Sequence, residues 1–374
     1  VLDREDYEAF RSSVRRLAED KIAPHAASYD EESRFPEETL EAFKELDIVG
    51  LPLRESHGGN AADVLVQAIC LEEVARVCAT SSLTLMVIWS GLNPINIWGG
   101  DKLADEVIAP AVRGDVVVSI CLTEAHGGSD MWGAKTTARR DGDEWIINGK
   151  KSWISNATRS DWYTVLCRTG ETTFGVFVVH KDDPGLSFGR LEKKMGMRGS
   201  PTADVNFENC RIPGHRAVGD PEKGYDYITS SLTRARPMIA AQALGIAQGA
   251  LEGAVSYTNE REIFGKPVSS YQMTKGTIAE LATKIEAARQ LLYRACEAVE
   301  NGEGNARMLA SMAKLTCSNV AMETTVEAVQ LHGGAGYVRD YPAERMMRDA
   351  KITQIYEGTS EIQKLIIAKS ILAN

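Results

Sequence analysis

The hydrophobic period changes twice along this 374-residue chain, and that change limits the folds open to it. As far as about residue 115, apolar residues recur at helical spacing. Tyr7, Phe10, Val14, Leu17 and Ile22 mark one face, and Pro24 is expected to end that segment. Phe35-Pro36-Glu37-Glu38 opens a second helix carrying Leu40, Phe43 and Leu46. Further helices are expected over residues 62–77, 82–98 and 102–112, with Pro94 a kink or a boundary. From Asp115 the apolar runs become short and β-branched: residues 116–122, 136–140, 145–148, 163–168, 174–179 and 204–208. Gly142, Gly149, Gly170 and Pro184-Gly185 punctuate them, a spacing that predicts an antiparallel β-sandwich or barrel. From Gly224 the helical period returns. Pro237 fits a helix start. Ile239, Ala243, Ile246, Ala250, Ala254 and Thr258 then line one face. Long helices over 271–301 and 306–331 and a last one over 362–372 complete a four-helix bundle. The expected class is α+β in three parts: helical 1–115, β 116–222 and a helical bundle 223–374.

Charge and cysteine usage exclude several functions. A net charge of −10 argues against nucleic acid or an anionic membrane surface as the main partner. No uninterrupted apolar run of about 18 residues occurs, so no membrane span is expected. No signal peptide is visible, although the chain does not begin with Met. Seven scattered cysteines without a C-x-x-C pair point to a reducing, cytoplasmic setting, with a removed organelle transit peptide as the alternative. Six histidines include no H-E-x-x-H, and no metal is expected.

Five stretches carry candidate chemistry. Ile355-Tyr356-Glu357-Gly358-Thr359-Ser360-Glu361-Ile362-Gln363 places a carboxylate just before a capping-box pattern, with Ser360 as cap and Gln363 three residues on. Glu357 there is either a general base or an acid placed to suit a helix dipole. Thr123-Glu124-Ala125-His126-Gly127-Gly128-Ser129-Asp130 follows a strand and reads as an anion nest or as a tight turn. It is no P-loop, and no G-x-G-x-x-G occurs anywhere. Trp153 and Ser155 are expected on one face of a strand, where they suit a flat heterocycle or a barrel edge. Arg261-Glu262-Ile263-Phe264-Gly265-Lys266-Pro267 ends a helix with a pyrophosphate-suited arginine or a plain C-terminal cation. Gln330-Leu331-His332-Gly333-Gly334-Ala335-Gly336-Tyr337 ends another, as a close ligand approach or a Schellman-type cap, with His332 read as structural.

In this order and on this plan, the stretches resemble the acyl-CoA dehydrogenase family over essentially the whole chain. The first family signature is similar to residues 121–133, C-L-T-E-A-H-G-G-S-D-M-W-G. The second is similar to residues 330–349, and Tyr356-Glu357-Gly358-Thr359 is a third match. The resemblance implies FAD-dependent α,β-dehydrogenation of an acyl-CoA thioester to the trans-2-enoyl-CoA. Glu357 would take the Cα proton, flavin N5 would accept hydride from Cβ, and electrons would pass to an electron-transfer flavoprotein. The alternative base position of some branches falls on Ala235, which cannot serve. The implied flavin contacts from the β-domain are Cys121, Leu122, Thr123, Ser129, Trp153, Ile154 and Ser155. Arg261, Phe264, Gln272, Gln330, Leu331, Gly333, Gly334, Thr359 and Glu361 would hold the ADP half, some of them from a neighbouring subunit. A homotetramer, a dimer of dimers, is implied. Ser129, Thr233, Arg236, Tyr356 and Gly358 are the implied substrate-side contacts. The apolar stretch from Met86 to Ile97 lines an acyl pocket or is plain core.

Two departures from the family pattern stand out. Ala125-His126 replaces a proline-containing turn, and Thr233 stands where many members carry an aspartate that bonds the pantetheine arm. The second leaves an acyl carrier protein open as the thioester carrier. A flavin oxidase or monooxygenase, or a non-catalytic acyl-CoA binder on the same scaffold, are the other readings. Glu357 argues against the oxidase, since such relatives usually lose the base.

Overall fold

A computed structural model describes residues 4–372. Six helices come first: α1 (Arg4–Leu17), α2 (Ala26–Glu31), α3 (Glu37–Lys44), α4 (Val64–Val77), α5 (Ala79–Trp98) and α6 (Asp101–Val112). Pro24 does not end the first segment. The chain passes through a π-turn at Ala18–Ile22 and a 3-10 turn at Ala23–His25, then continues into α2. Pro24 sits at the start of that 3-10 turn, where a missing N–H is tolerated. Pro94 likewise lies inside α5. The start of α4 is fixed by Asp63, whose carboxylate accepts from the Val66 N–H at 2.8 Å.

Eight strands form one sheet: β1 (Val118–Cys121), β2 (Thr137–Asp141), β3 (Glu144–Ile154), β4 (Trp162–Arg168), β5 (Phe174–His180), β6 (Leu186–Phe188), β7 (Ala203–Pro213) and β8 (Ala217–Val218). The order is β6-β7-β3-β2-β4-β5-β8, with β1 pairing β4. The sheet is not wholly antiparallel as expected: β1 runs parallel to β4, and β2 meets β4 in parallel at Thr137 and Arg168. β3 and β7 are longer than their apolar runs, because register shifts carry them through polar residues such as Asn148 and Lys150. β6 and β8 are too short to leave a pattern.

β4 and β5 are buried on both faces. Tyr163, Val165, Cys167, Phe177 and Val179 fill the sheet's own core, while Trp162, Leu166, Val176 and Val178 pack on the helical core. α5 reaches this sheet through Gly91, whose carbonyl accepts from Thr164 Oγ1 at 2.7 Å. A Cβ at Gly91 would stand 2.8 Å from Val118, so only glycine permits the approach.

The C-terminal part begins with α7 (Gly224–Glu260), which runs straight through Pro237 rather than starting there. By length and composition α7 passes for a membrane span, but 78% of its apolar window is buried inside the protein. After it comes a two-stranded ribbon, β9 (Glu262–Ile263) and β10 (Lys266–Pro267), where a plain helix end was expected. Phe264 and Gly265 form its turn, both at positive φ, as a two-residue hairpin demands. α8 (Gln272–Glu300), α9 (Ala306–His332), α10 (Ala343–Ile352) and α11 (Ser360–Leu372) complete the bundle, α10 being a helix the sequence pattern did not separate. An ion network ties α4 to α1 and α8: the buried Glu72 and Glu73 of α4 receive Arg11 and Arg15 from α1 and Arg289 from α8.

Candidate active site

Glu357 lies on the loop between α10 and α11, half-buried. It has φ +53° and Gly358 has φ +94°, so two successive residues are left-handed. A non-glycine residue there is strained, and the surroundings must hold it. Three anchors do so. The Tyr356 hydroxyl donates to Gln242 Oε1 on α7, and Gln242 Nε2 donates to the Ala79 carbonyl at 3.1 Å. The Ser360 N–H donates to the Gln354 carbonyl at 2.9 Å. The Gly358 carbonyl accepts twice, from Lys314 Nζ at 2.7 Å and from Gln363 Nε2 at 2.8 Å.

The helix start is displaced by one residue from the expected box. Thr359, not Ser360, caps α11: its Oγ1 accepts from the Ile362 N–H at 3.4 Å, and its carbonyl from the Gln363 N–H at 3.0 Å. Gln363 does reach back, but as donor to the Gly358 carbonyl.

Three ionisable side chains meet here. Burial pushes the Glu357 carboxyl above the usual carboxylate value, and Lys314 and Arg236 pull it back. Arg236 is 5% exposed, with Nε and Nη1 lacking partners among the described residues. Burial, with Arg307 nearby, pulls its pKa down to about 10. Burial draws Lys314 down to about 8, against the attraction of Glu357. A carboxylate partly withdrawn from water and flanked by two desolvated cations suits proton abstraction beside a developing negative charge.

Around residues 121–155 the geometry is uneven. Cys121 and Ile154 turn their side chains into the sheet's core, leaving only main chain to face a ligand. Leu122 packs on the helical core. Trp153 and Ser155 do not share a strand face as expected. Trp153 has φ +62° at the second register shift of β3, and Ser155 lies past the strand's end. The shift turns the indole outward, 62% exposed. The Ser152 N–H donates to the Thr123 carbonyl at 2.8 Å, so the main chain just before Trp153 is tied to the start of the Thr123–Asp130 turn. Ser129 on that turn is exposed. Glu124 does not belong to an anion nest: its carboxylate turns inward to Lys151 at 2.9 Å and to the N–H groups of Lys135 and Thr136.

The remaining residues divide along the bundle. Arg236 and Tyr356 stand with Glu357, and Thr233 lies one turn before Arg236 on α7, its hydroxyl donating to the Thr229 carbonyl at 3.2 Å. Asn93 on α5 donates to Ser231 Oγ at 2.9 Å in the same region. Most of the 86–97 stretch is core, while Ile97 is exposed. Thr359 and Glu361 begin α11. Arg261, Phe264, Gln272, Gln330, Gly333 and Gly334 are exposed at the other end, where His332 stacks on Tyr257 at 4.5 Å. Leu331 there is half-buried. His332 is structural, its Nδ1 bonded to the Ala328 carbonyl at 2.7 Å. At 1.5 Å per residue, Arg236 and Arg261 lie roughly 37 Å apart along α7. Lys314 and Gln242 were missed by the sequence reading. Both interrupt buried helical stripes, Lys314 between Ala310 and Cys317, and Gln242 beside Ile239 and Ala243. A charge or amide inside an apolar stripe was the available signal.

A helix–sheet–helix frame that holds a carboxylate near two desolvated cations in the bundle and an exposed indole on the sheet suits a flavin-type oxidoreductase for substrates with a weakly acidic C–H. Models of the acyl-CoA dehydrogenase N-terminal, middle and C-terminal domains match residues 4–115, 119–210 and 222–372. The chain belongs to the acyl-CoA dehydrogenase family, and is an oxidoreductase acting on acyl-CoA. It is 44% identical to the Mycobacterium tuberculosis protein named "Probable acyl-CoA dehydrogenase FadE25", over 98% of this chain and 96% of that one. The structure of butyryl-CoA dehydrogenase from Megasphaera elsdenii superposes with a TM-score of 0.94 at 34% identity, covering 100% of this chain and 99% of that one. A glutaryl-CoA dehydrogenase from Mycobacterium smegmatis in complex with FADH2 gives a TM-score of 0.94 at 28% identity, covering 100% and 96%. The family is FAD-dependent, and the residues here fit such a group: Trp153 offers an exposed aromatic plane directly after Ser152, whose N–H is bonded to the Thr123 carbonyl.

Proposed function

We propose that this chain desaturates an acyl-CoA thioester between Cα and Cβ, giving the trans-2-enoyl-CoA, with Glu357 removing the Cα proton. The observation that carries the assignment is the position of Glu357: an isolated carboxylate raised by burial, on a strained loop, facing Lys314 and Arg236. A solvated carboxylate is too weak for a thioester α-proton, and exclusion of water strengthens it. The Glu357 N–H is proposed as a donor to the thioester oxygen, where the charge of the enolate develops. Arg236 brings two buried nitrogens, Nε and Nη1, without partners among the described residues, and Thr233 brings a hydroxyl oxygen that can still accept. FAD, when bound, supplies the two-electron acceptor for the hydrogen at Cβ. Trp153, Ser155, Thr123 and Ser129 would cover and bond its ring system, with Thr359 and Glu361 near its chain.

Arg261, Phe264, Gln272, Gln330, Gly333 and Gly334 lie too far from Glu357 to serve the same flavin site easily. We assign them to the FAD of a second copy of the chain, which makes a dimer the minimum unit and a dimer of dimers the expected assembly. The exposure of Phe264, at 94%, and Tyr337, at 86%, at that end supports the reading. An electron-transfer flavoprotein is proposed as the physiological acceptor.

Anaerobic mixing of the FAD-loaded enzyme with a panel of acyl-CoAs, followed by flavin absorbance, tests the function. Bleaching with at least one member is expected. In Glu357→Gln, FAD and acyl-CoA binding should persist while bleaching slows by about a thousandfold or more, equivalent to about 4 kcal/mol of barrier. Substantial remaining bleaching sinks the base assignment.

A further inference from the structure

Lys314 is the least expected side chain in the site. It lies on α9 within the buried stripe Ala310, Ala313, Cys317 and Ala321, and is itself 0% exposed. Its hydrogen bond is to the Gly358 carbonyl at 2.7 Å, and that carbonyl already accepts from Gln363 Nε2 at 2.8 Å. A second neutral donor would hold the carbonyl as well, without the cost of desolvating an ammonium. The charge therefore calls for its own explanation, and the neighbouring carboxylate is Glu357. We propose that Lys314 is the positioning residue of the base: it fixes the left-handed Glu357-Gly358 turn through the Gly358 carbonyl, and its charge keeps Glu357 ionised at working pH. The inference rests on Glu357 being the base.

The charged groups around this pair come from four helices and the loop. Arg236 on α7 acts on both Glu357 and Lys314, and Arg307 on α9 acts on Arg236. Glu361 on α11 acts on Lys314. Tyr356 on the loop is half-buried and donates to Gln242, with Asp349 on α10 acting on it. Burial lifts the Glu357 carboxyl, and Lys314 is the leading influence that lowers it. Arg236 adds to that effect but makes no bond to the 357–358 turn among the described residues. Lys314 alone joins the charge to the backbone that aims the carboxylate.

The sign follows directly. A nearby cation favours the ionised carboxylate, so its removal raises the pKa of Glu357 and moves the rising limb of the pH–rate profile to higher pH. The experiment compares FAD-loaded wild type, Lys314→Met, Lys314→Gln and Lys314→Arg across pH. One readout is the rate of anaerobic flavin bleaching by a reactive acyl-CoA. The other is the protonated-carboxyl band in infrared difference spectra against Glu357→Gln, which reads the base without turnover. Both neutral variants should shift the limb and the band midpoint upward by about one unit or more, and Lys314→Arg should restore most of the shift. Lys314→Gln keeps a donor, so it stays informative if Lys314→Met fails to fold. Slower bleaching at every pH with limb and band unmoved would overturn the proposal and leave Lys314 a structural tie. Turnover retained by Glu357→Gln is a different failure: it removes the base assignment itself, whatever the lysine variants do.

Discussion

Lys151 offers the sharpest test of how the β-domain supports the site. It is 0% exposed in the middle of β3, with Nζ 2.9 Å from Glu124 Oε1 and 3.2 Å from the Leu122 carbonyl. Glu124, 6% exposed, also accepts the Lys135 and Thr136 N–H groups at 2.8 and 2.9 Å. Despite burial, Lys151 and those N–H groups hold its pKa down at about 2. That depressed value contributes stability that is complete above about pH 4.5 and lost as pH falls through about 2. Lys151→Met leaves the carboxylate buried and short of its cation, a change that costs about 3–5 kcal/mol. With an unfolding entropy of about 2.1 cal/mol/K per residue, a chain of this length loses roughly 4–6 °C in Tm if it unfolds as one unit. Thermal melts at pH 7 should show that loss. The double variant Glu124→Gln/Lys151→Met should melt above the sum of the two single losses by at least about 2 kcal/mol, because no lone charge remains. In Lys151→Met the Glu124 pKa rises, so the gap to wild type should narrow as pH is lowered from 8 toward 5. A melting point within 1 °C of wild type, or strict additivity in the double variant, would refute the reasoning.

Two glycine changes extend the tests. A Cβ at Gly249 would stand 2.0 Å from the Arg76 carbonyl oxygen, so Gly249→Ala must push α4 and α7 apart and should cost about 1–3 kcal/mol or more in melts. Gly253, one turn on, has nothing within 4 Å, and Gly253→Ala should stabilise by up to about 1 kcal/mol through helix propensity alone. Gly358→Ala meets both a φ of +94° and Gln363 Nε2 at 2.7 Å. It should cost about 1–3 kcal/mol of stability. It should also slow anaerobic bleaching at least tenfold by re-aiming Glu357, and an unchanged rate would show that the turn does not set the carboxylate.

The order of helical, strand and helical parts was legible because burial imposes a period, and the period survives in the apolar residues of α4, α7, α8, β4 and β5. Prolines misled where local chemistry was outvoted by packing: Pro94 and Pro237 sit inside helices, in stretches that are buried almost throughout. Strands β6 and β8 carry too few residues for any period. In the site, Glu357 was legible from its own neighbours, but what surrounds it was not. Lys314 lies 43 positions upstream and Arg236 121, and only the packing of α7 and α9 against the loop brings them together. The bulge that exposes Trp153 depends on pairing with β7, which a single strand's sequence does not encode.

The charge count at Glu357 explains why its surroundings take this form. On the proposed assignment the base must satisfy two opposed demands: it has to be strong enough to take a weakly acidic proton, and ionised before it does so. Burial alone would meet the first and defeat the second, since a carboxyl kept from water holds its own proton at neutral pH. Cations alone would meet the second and weaken the base. Burial together with Lys314 and Arg236 places the group between those limits. The two cations also persist through the step. When the proton moves, negative charge leaves Glu357 and develops on the thioester, and the positive surroundings then stabilise the acceptor of that charge rather than its donor. Neither cation carries a large solvent shell to rearrange, as Lys314 is 0% and Arg236 5% exposed. The cost is borne in the folded protein, where both cations have pKa values pulled below their ordinary range, and it is offset by the packing of α7 against α9.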